Sequence, residues 1–137
     1  IHQRHGKTEK KENIKISSYF ANKYGYEIDL LPRVENKRCA DAFNRTLNRK
    51  EEYKDNLIAT AGAIDNAIRS GKNQADHIVL WIGSDISLGD LRNGILNRAR
   101  RCKNIKTITI VKDGKDCSFT KEQIDANDFE IKQADFK

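Results

Sequence analysis

A chain of 137 residues, 37% of them hydrophobic, is long and apolar enough to build one domain around a core. Its 34% charged residues, single proline and eight glycines exclude collagen-like and low-complexity proteins, and the chain is too apolar to be wholly disordered. The longest apolar run, residues 78–82, is far shorter than the roughly 20 residues that cross a bilayer. We therefore expect a soluble domain with no membrane partner.

The net charge indicates a class of partner, and the spacing of the cysteines argues against two kinds of structural site. A net charge of +6 favours a polyanion such as nucleic acid, and residues 92–106 contain six basic side chains and no acid. That run is consistent either with phosphate binding or with a solvated helix face. The three cysteines are widely spaced and form no C-x-x-C pair, which argues against a zinc site or a disulfide framework: Cys39, Cys102 and Cys117.

The pattern of the first eleven residues predicts a flexible arm outside the hydrophobic core. The chain starts without methionine or an apolar leader, so we interpret it as a fragment or a processed product, and its localisation cannot be read from its start. Residues 1–11 show no apolar periodicity and are predicted to be a linker or flexible arm, in which His2 and His5 are inert. Residues 12–137 are predicted to form a single domain.

The first half of that domain predicts one helix and three strands. Apolar residues recur at helical spacing from Glu12 to Tyr24, and Gly25 then favours a helix end. Residues 26–31 alternate with period two, and a second short strand is predicted at 40–44. A turn at Asn44-Arg45 leads into a third alternating segment, residues 46–54.

The second half alternates helices and strands. Thr60 is a good N-cap for a helix that ends at Gly71, and residues 77–82 are typical of a buried parallel strand. A helix opening at Ser87, a strand at 105–111, a turn into residues 116–119 and a capping box at Thr120 follow. The predicted fold is α/β (α+β), with a mixed central sheet flanked by helices in the order α-β-β-β-α-β-α-β and then a tail.

The third strand has an unusual composition. Residues 50–54 are almost wholly ionic, although the flanking segments should bury part of them. Because an unpaired buried charge costs several kcal/mol, the strand either lies on a wet edge or directs its charges into a cleft. Cross-strand ion pairing on a wet face, each pair worth less than about 1 kcal/mol, is the structural alternative to a functional site.

Three residues on neighbouring strands have the chemistry of a metal site. Glu52 and Lys54 share a strand face, and pairing through the Asn44-Arg45 turn would bring Asp41 beside Glu52. Two adjacent carboxylates repel each other and favour a divalent cation such as Mg²⁺ or Mn²⁺. A nearby lysine can orient water or stabilise developing negative charge, as metal-assisted phosphodiester hydrolysis requires.

At this point the chain resembles the PD-(D/E)XK nuclease superfamily, over roughly residues 12–111. Asp41, Glu52 and Lys54, on consecutive strands after a helix and before a helix and strand, match its motif. The resemblance implies a restriction-endonuclease-like fold, metal binding by Asp41 and Glu52, and catalytic support from Lys54. Glu12 lies where many members place a further acid. Acid-x-Lys triplets elsewhere in the chain lack this context, among them those beginning at Glu9, Glu35, Asp113 and Glu130.

More narrowly, the chain is similar to C-terminal toxin domains of contact-dependent growth inhibition proteins. The similarity rests on residues 24–26, 30–32, 40–42, 52–54 and 74–80, with Ala40 and Arg45 departing from the family's proline and glycine. It implies cleavage of transfer RNA, Gln74 near the site, an immunity partner, and export within a larger protein to act in the bacterial cytoplasm. Four basic residues are candidate phosphate contacts: Lys50, Arg98, Arg100 and Arg101.

Two alternatives remain open. A metal-independent ribonuclease of the barnase, EndoU and colicin-like group would use His77 or a tyrosine for acid–base chemistry and would ignore chelators. A nucleic-acid or protein binding module would use the ionic strand as a recognition edge and show salt-sensitive binding without turnover.

Overall fold

The computed structural model describes residues 11–32 and 39–137. Its helices and strands alternate much as predicted, and six strands form one sheet in the order β1-β2-β3-β4-β5-β6. Strands β3, β4 and β5 are parallel to one another, and the remaining neighbours are antiparallel. The elements are α1 (Lys11–Tyr24), β1 (Ile28–Leu30), β2 (Ala42–Asn44), β3 (Arg49–Asn56), α2 (Ala61–Gly71), β4 (His77–Ile82), α3 (Leu88–Ala99), β5 (Thr107–Lys112), β6 (Lys115–Thr120), α4 (Lys121–Asp125) and a 3₁₀ turn at Gln133–Asp135. The predicted mixed sheet flanked by helices is confirmed.

Each face of the sheet has its own apolar cluster. On one face, isoleucines of α2 and α3 such as Ile64 and Ile95 pack against Ile78 and Leu80 of β4. On the other face, Ile16 and Phe20 of α1 pack against Tyr53, Val79 and their neighbours. Because strand side chains alternate between faces, β3 sends Tyr53 to the α1 face and both adjoining residues to the α2 face. The ionic strand is therefore covered on both sides.

Local signals explain where several elements begin and end. Gly25 follows α1 with φ of 70°, a conformation that a residue without Cβ adopts without strain. Side chains of Thr60 and Ser87 cap the first turns of α2 and α3. The capping box predicted at Thr120 and Gln123 is present at the start of α4.

Several predicted boundaries shift in the structure; the strands predicted at 26–31, 105–111 and 116–119, for example, are Ile28–Leu30, Thr107–Lys112 and Lys115–Thr120. Helix α1 begins at Lys11, which was predicted to belong to the arm, and residues 1–10, with His2 and His5, lie outside the described part. The predicted strand at 46–54 begins only at Arg49, because residues 45–48 form the turn and Asn48 adopts φ of 52°. The strand predicted at 40–44 begins at Ala42, since Asp41 lies in a bend. No helix within the described ranges is long and apolar enough to cross a membrane.

Candidate active site

The hairpin between β2 and β3 sets the position of Asp41. In its register Ala42 pairs with Glu51, so Asp41, one residue before β2, comes beside Glu52. The backbone N–H of Tyr53 donates to Asp41 Oδ2 at 2.8 Å, and Asn13 Nδ2 of α1 donates to Asp41 Oδ1 at 3.1 Å. Each carboxylate oxygen thus accepts a hydrogen bond, and the side chain is fixed from both the strand and the helix.

Glu52 is the most unusual carboxylate of the site. It is 4% exposed, and one of its oxygens, Oε2, lies 3.3 Å from Lys54 Nζ. Its other oxygen, Oε1, is buried without a hydrogen-bond partner among the described residues. Burial first, then the negative charge of Asp41 and a hydrogen bond that the protonated Glu52 shares with Asp41, raise the pKa of Glu52 to about 8, although Lys54 acts in the opposite direction. Glu52 therefore holds a proton near pH 7, until another cation stabilises its charged form.

The C-terminal end of α2 packs against Glu52 and Lys54. Gly71 lies against the aliphatic parts of Glu52 and Lys54. The chain then folds back, because the backbone N–H of Gln74 donates to Gly71 O at 2.9 Å. Within the described ranges, Gln74 Oε1 is a second buried oxygen that accepts no hydrogen bond. Gln74, which the family resemblance pointed to, therefore lies on a loop anchored beside Glu52.

Asp41 and Glu52 could hold a divalent cation only together with further ligands from water or substrate. Among residues 11–32 and 39–137, no three His, Cys, Asp or Glu side chains cluster closely enough to hold a metal. Glu12, half-buried in the first turn of α1, therefore does not join Asp41 and Glu52 in a three-residue cluster. Mg²⁺ is commonly held by one or two carboxylates together with waters and substrate phosphates. The unpartnered Glu52 Oε1 is available to such an ion.

The four predicted phosphate contacts have different surroundings. Lys50 is exposed on β3 and shares the strand face of Glu52 by alternation, and Arg101 is exposed after α3. Arg98 Nε instead donates to Asp65 Oδ1 of α2 at 2.7 Å. Arg100 donates to backbone carbonyl groups around α4. Arg98 and Arg100 are thus engaged inside the domain, and a role in binding phosphate stays a prediction for all four residues.

The α1 face carries a separate polar region. A cavity of about 470 Å³ is lined there by Arg49, Glu51, Tyr26, Asp116 and other side chains, and the residues Asp41, Glu52 and Lys54 do not line it. His77 pairs with Glu51 in the sheet register, and its Nδ1 lies 2.8 Å from Thr107 Oγ1. Burial lowers the pKa of His77. The histidine of the metal-independent alternative therefore lies on the sheet face opposite Glu52.

Two contributors to the site were missed in the sequence. Asn13 holds Asp41 across 28 residues of sequence, and nothing in its local pattern distinguishes it from a polar helix residue. Gly71 was interpreted only as the end of a helix, which it is. Its contact with Glu52 and Lys54 depends on how α2 crosses β3, and that crossing could not be read from the chain.

Comparison with known proteins gives one informative likeness of fold. No family model and no curated protein matches the chain. Its fold is similar to that of a chain in the CdiA-CT/CdiI toxin and immunity complex from Burkholderia pseudomallei, with a TM-score of 0.58. The two chains are 17% identical, and the likeness covers 79% of this chain and 81% of the other. At this identity the comparison shows a shared fold.

Proposed function

We propose that this chain is a metal-dependent endonuclease domain of the PD-(D/E)XK type that hydrolyses phosphodiester bonds in RNA. The observation that carries the proposal is the convergence of two carboxylates and a lysine on adjacent strands, with one buried carboxylate oxygen left without a partner among the described residues. Structural ion pairing alone does not account for two carboxyl groups held so close together, because the negative charge of Asp41 opposes ionisation of the buried Glu52.

Each residue has a role that follows from its contacts. Asp41 and Glu52 hold the cation, Mg²⁺ or Mn²⁺, and the hydrogen bonds from Asn13 and Tyr53 keep Asp41 oriented. A bound divalent cation supplies Lewis acidity and lowers the pKa of a bound water. Lys54, once the cation neutralises Glu52, can direct its ammonium group to water or to a phosphate oxygen. Glu12 orients water at the rim, and Gln74 contacts the nucleic acid.

The substrate and the biological setting rest on charge and on fold. The chain carries +6 net charge, which suits a polyanionic substrate. The structural neighbour comes from a complex of a toxin with its immunity protein. We propose accordingly that this chain is the toxin part of a larger exported protein, that it cleaves transfer RNA in the bacterial cytoplasm, and that a cognate immunity protein binds it. Lys50 and Arg101 are the exposed phosphate contacts.

The direct experiment incubates the purified domain with total tRNA, other cellular RNA and DNA, each with Mg²⁺ or with excess chelator. We expect cleavage of tRNA that chelator abolishes. Cleavage that persists in chelator would instead support the metal-independent ribonuclease with His77 in an acid–base role. Salt-sensitive binding without cleavage under either condition would support the binding module.

A further inference from the structure

Helix α2 ends with a glycine that its backbone does not require. Gly71 is the last residue of α2, and its φ lies outside the left-handed region that favours glycine. The residue after it, Lys72, caps the helix in the ordinary right-handed conformation. Glycine costs helix stability relative to alanine at such a position. Its presence therefore needs another explanation.

We explain the glycine by the lack of room for a side chain between α2 and the residues Glu52 and Lys54. A Cβ added at Gly71 would lie 3.3 Å from Glu52 Cγ and 3.3 Å from Lys54 Cε. Both distances are shorter than ordinary van der Waals contact, so both side chains would have to move. At Gly62, in the same helix, an added Cβ would meet no described atom within 4 Å. Of the two glycines in α2, only Gly71 makes this close contact.

Gly71 also fixes the loop that follows it. Its carbonyl oxygen accepts hydrogen bonds from the backbone N–H groups of Gln74 at 2.9 Å and Ala75 at 3.3 Å. Gly71 thus permits the close approach of α2 to Glu52 and Lys54, and its carbonyl group anchors the Gln74 loop. We propose that Gly71 is a positioning residue, whose missing side chain lets α2 hold Glu52 and Lys54 in their working arrangement. This inference rests on the proposed nuclease function.

The first test compares Gly71→Ala with the matched control Gly62→Ala in cleavage of tRNA. We expect Gly71→Ala to lower kcat by about tenfold with KM little changed, because small displacements of reacting groups slow chemistry more than binding. Gly62→Ala should keep wild-type kcat and KM. If Gly71→Ala has the kinetics of Gly62→Ala, the proposal is overturned.

The second test measures thermal unfolding of the metal-free protein and needs no activity. Gly71→Ala is compared in the wild-type chain and in a Glu52→Ala, Lys54→Ala background, which lacks the two atoms nearest to the new Cβ and keeps only Ile78 Cδ1 at the ordinary contact distance of 3.5 Å. We expect the loss in Tm to fall to less than about half in that background. An equal loss in both backgrounds would show that the strain lies elsewhere and would overturn the proposal.

Each variant outcome remains interpretable. If Gly71→Ala fails to fold alone, recovery of folding in the Glu52→Ala, Lys54→Ala background supports the positioning role, and failure there too overturns it. If the wild-type chain cleaves no nucleic acid, the proposed function fails, while the Tm comparison still decides whether Gly71 makes room for Glu52 and Lys54.

Discussion

Glu51 and Glu52 are consecutive residues of β3 whose side chains lie on opposite faces of the sheet. They are almost equally buried, at 3% and 4% exposed. Glu51 accepts hydrogen bonds from Arg49 Nε at 2.9 Å and Tyr53 OH at 3.1 Å, so both of its oxygens have partners. In Glu52, Oε2 lies 3.3 Å from Lys54 Nζ, the carboxyl group also interacts with that of Asp41, and no donor among the described residues reaches Oε1. The same residue type thus serves a structural network on one face and a candidate site on the other.

The first prediction concerns stability and pH in Glu52→Gln. The pKa of Glu52 is raised from 4.5 to about 8 by burial and by Asp41, so between these values the folded protein binds one more proton than the unfolded chain. Stability contributed by this group is therefore lost as pH rises from about 4.5 to 8. Glu52→Gln has no carboxyl group to ionise, so the variant does not lose this stability at high pH. At pH 8.5, Glu52→Gln should be more stable than wild type by roughly 3–5 kcal/mol, measured by urea unfolding without metal.

Glu51→Gln is the control for that measurement. Because it removes the charged partner of Arg49 and Tyr53, it should lower the free energy of unfolding by about 1–3 kcal/mol at pH 8.5. If wild type and Glu52→Gln have the same free energy of unfolding at every pH from about 4.5 to 8.5, Glu52 is not a buried, protonated carboxyl group.

The second prediction concerns the pH dependence of metal binding. Since the proton on Glu52 must leave before its carboxylate can bind a cation, affinity for Mn²⁺ should rise with pH by up to about tenfold per unit until pH approaches about 8. Isothermal titration calorimetry at several pH values measures this. Asp41→Asn and Glu52→Gln should each abolish binding, and Mn²⁺ affinity that does not vary with pH would contradict the account.

The fold was predicted from the sequence wherever the pattern is local. The continuous apolar run at 77–82 gave β4 with its observed bounds, and the Thr120 capping box marked the start of α4. The hairpin register was harder to predict. Its turn occupies residues 45–48 rather than Asn44-Arg45 alone, so β3 starts later than the alternation of charges suggested. Side-chain alternation along β3 was still read correctly, because period two survives a change of strand ends.

The third prediction separates Lys54 from Lys50. Lys54 Nζ lies 3.3 Å from Glu52 Oε2 and lowers the pKa of Glu52. Lys54→Met should therefore raise that pKa further and shift the pH dependence of metal binding to higher pH. It should also reduce cleavage by about 10²-fold or more. The exposed Lys50, changed to Met, should leave the metal-binding profile in place and weaken RNA binding only. Indistinguishable metal-binding profiles in the two variants would count against the role of Lys54.

The fourth prediction concerns two arginines that the sequence grouped together. Arg98 pairs with Asp65 at 2.7 Å, and both side chains are half-buried, so Arg98→Gln should lower the free energy of unfolding by about 1 kcal/mol. Arg101 is exposed, and Arg101→Gln should reduce the slope of log affinity against log salt by about one. Fluorescence anisotropy with a labelled tRNA measures the slope. An unchanged slope in Arg101→Gln would remove this arginine from the phosphate contacts.

The candidate site was predictable only as far as strand alternation reaches. Glu52 and Lys54 follow from period two, and Asp41 follows from hairpin pairing. The support that Asn13 gives Asp41, and the contact of Gly71 with Glu52, depend on how helices cross the sheet. Such crossings join residues distant in sequence and leave no local pattern. The basic run at 92–106 likewise did not reveal that Arg98 and Arg100 have partners within the domain.

The most direct test of the central claim compares cleavage of total tRNA by wild type, Glu52→Gln and Glu51→Gln at pH 8 in Mg²⁺. If the two carboxylates and Lys54 form a metal-dependent active site, wild type and any Glu51→Gln protein that is folded will cleave, Glu52→Gln will lose activity by about 10³-fold or more, and chelator will stop all cleavage. Wild-type cleavage by Glu52→Gln, or cleavage in excess chelator, would contradict the account.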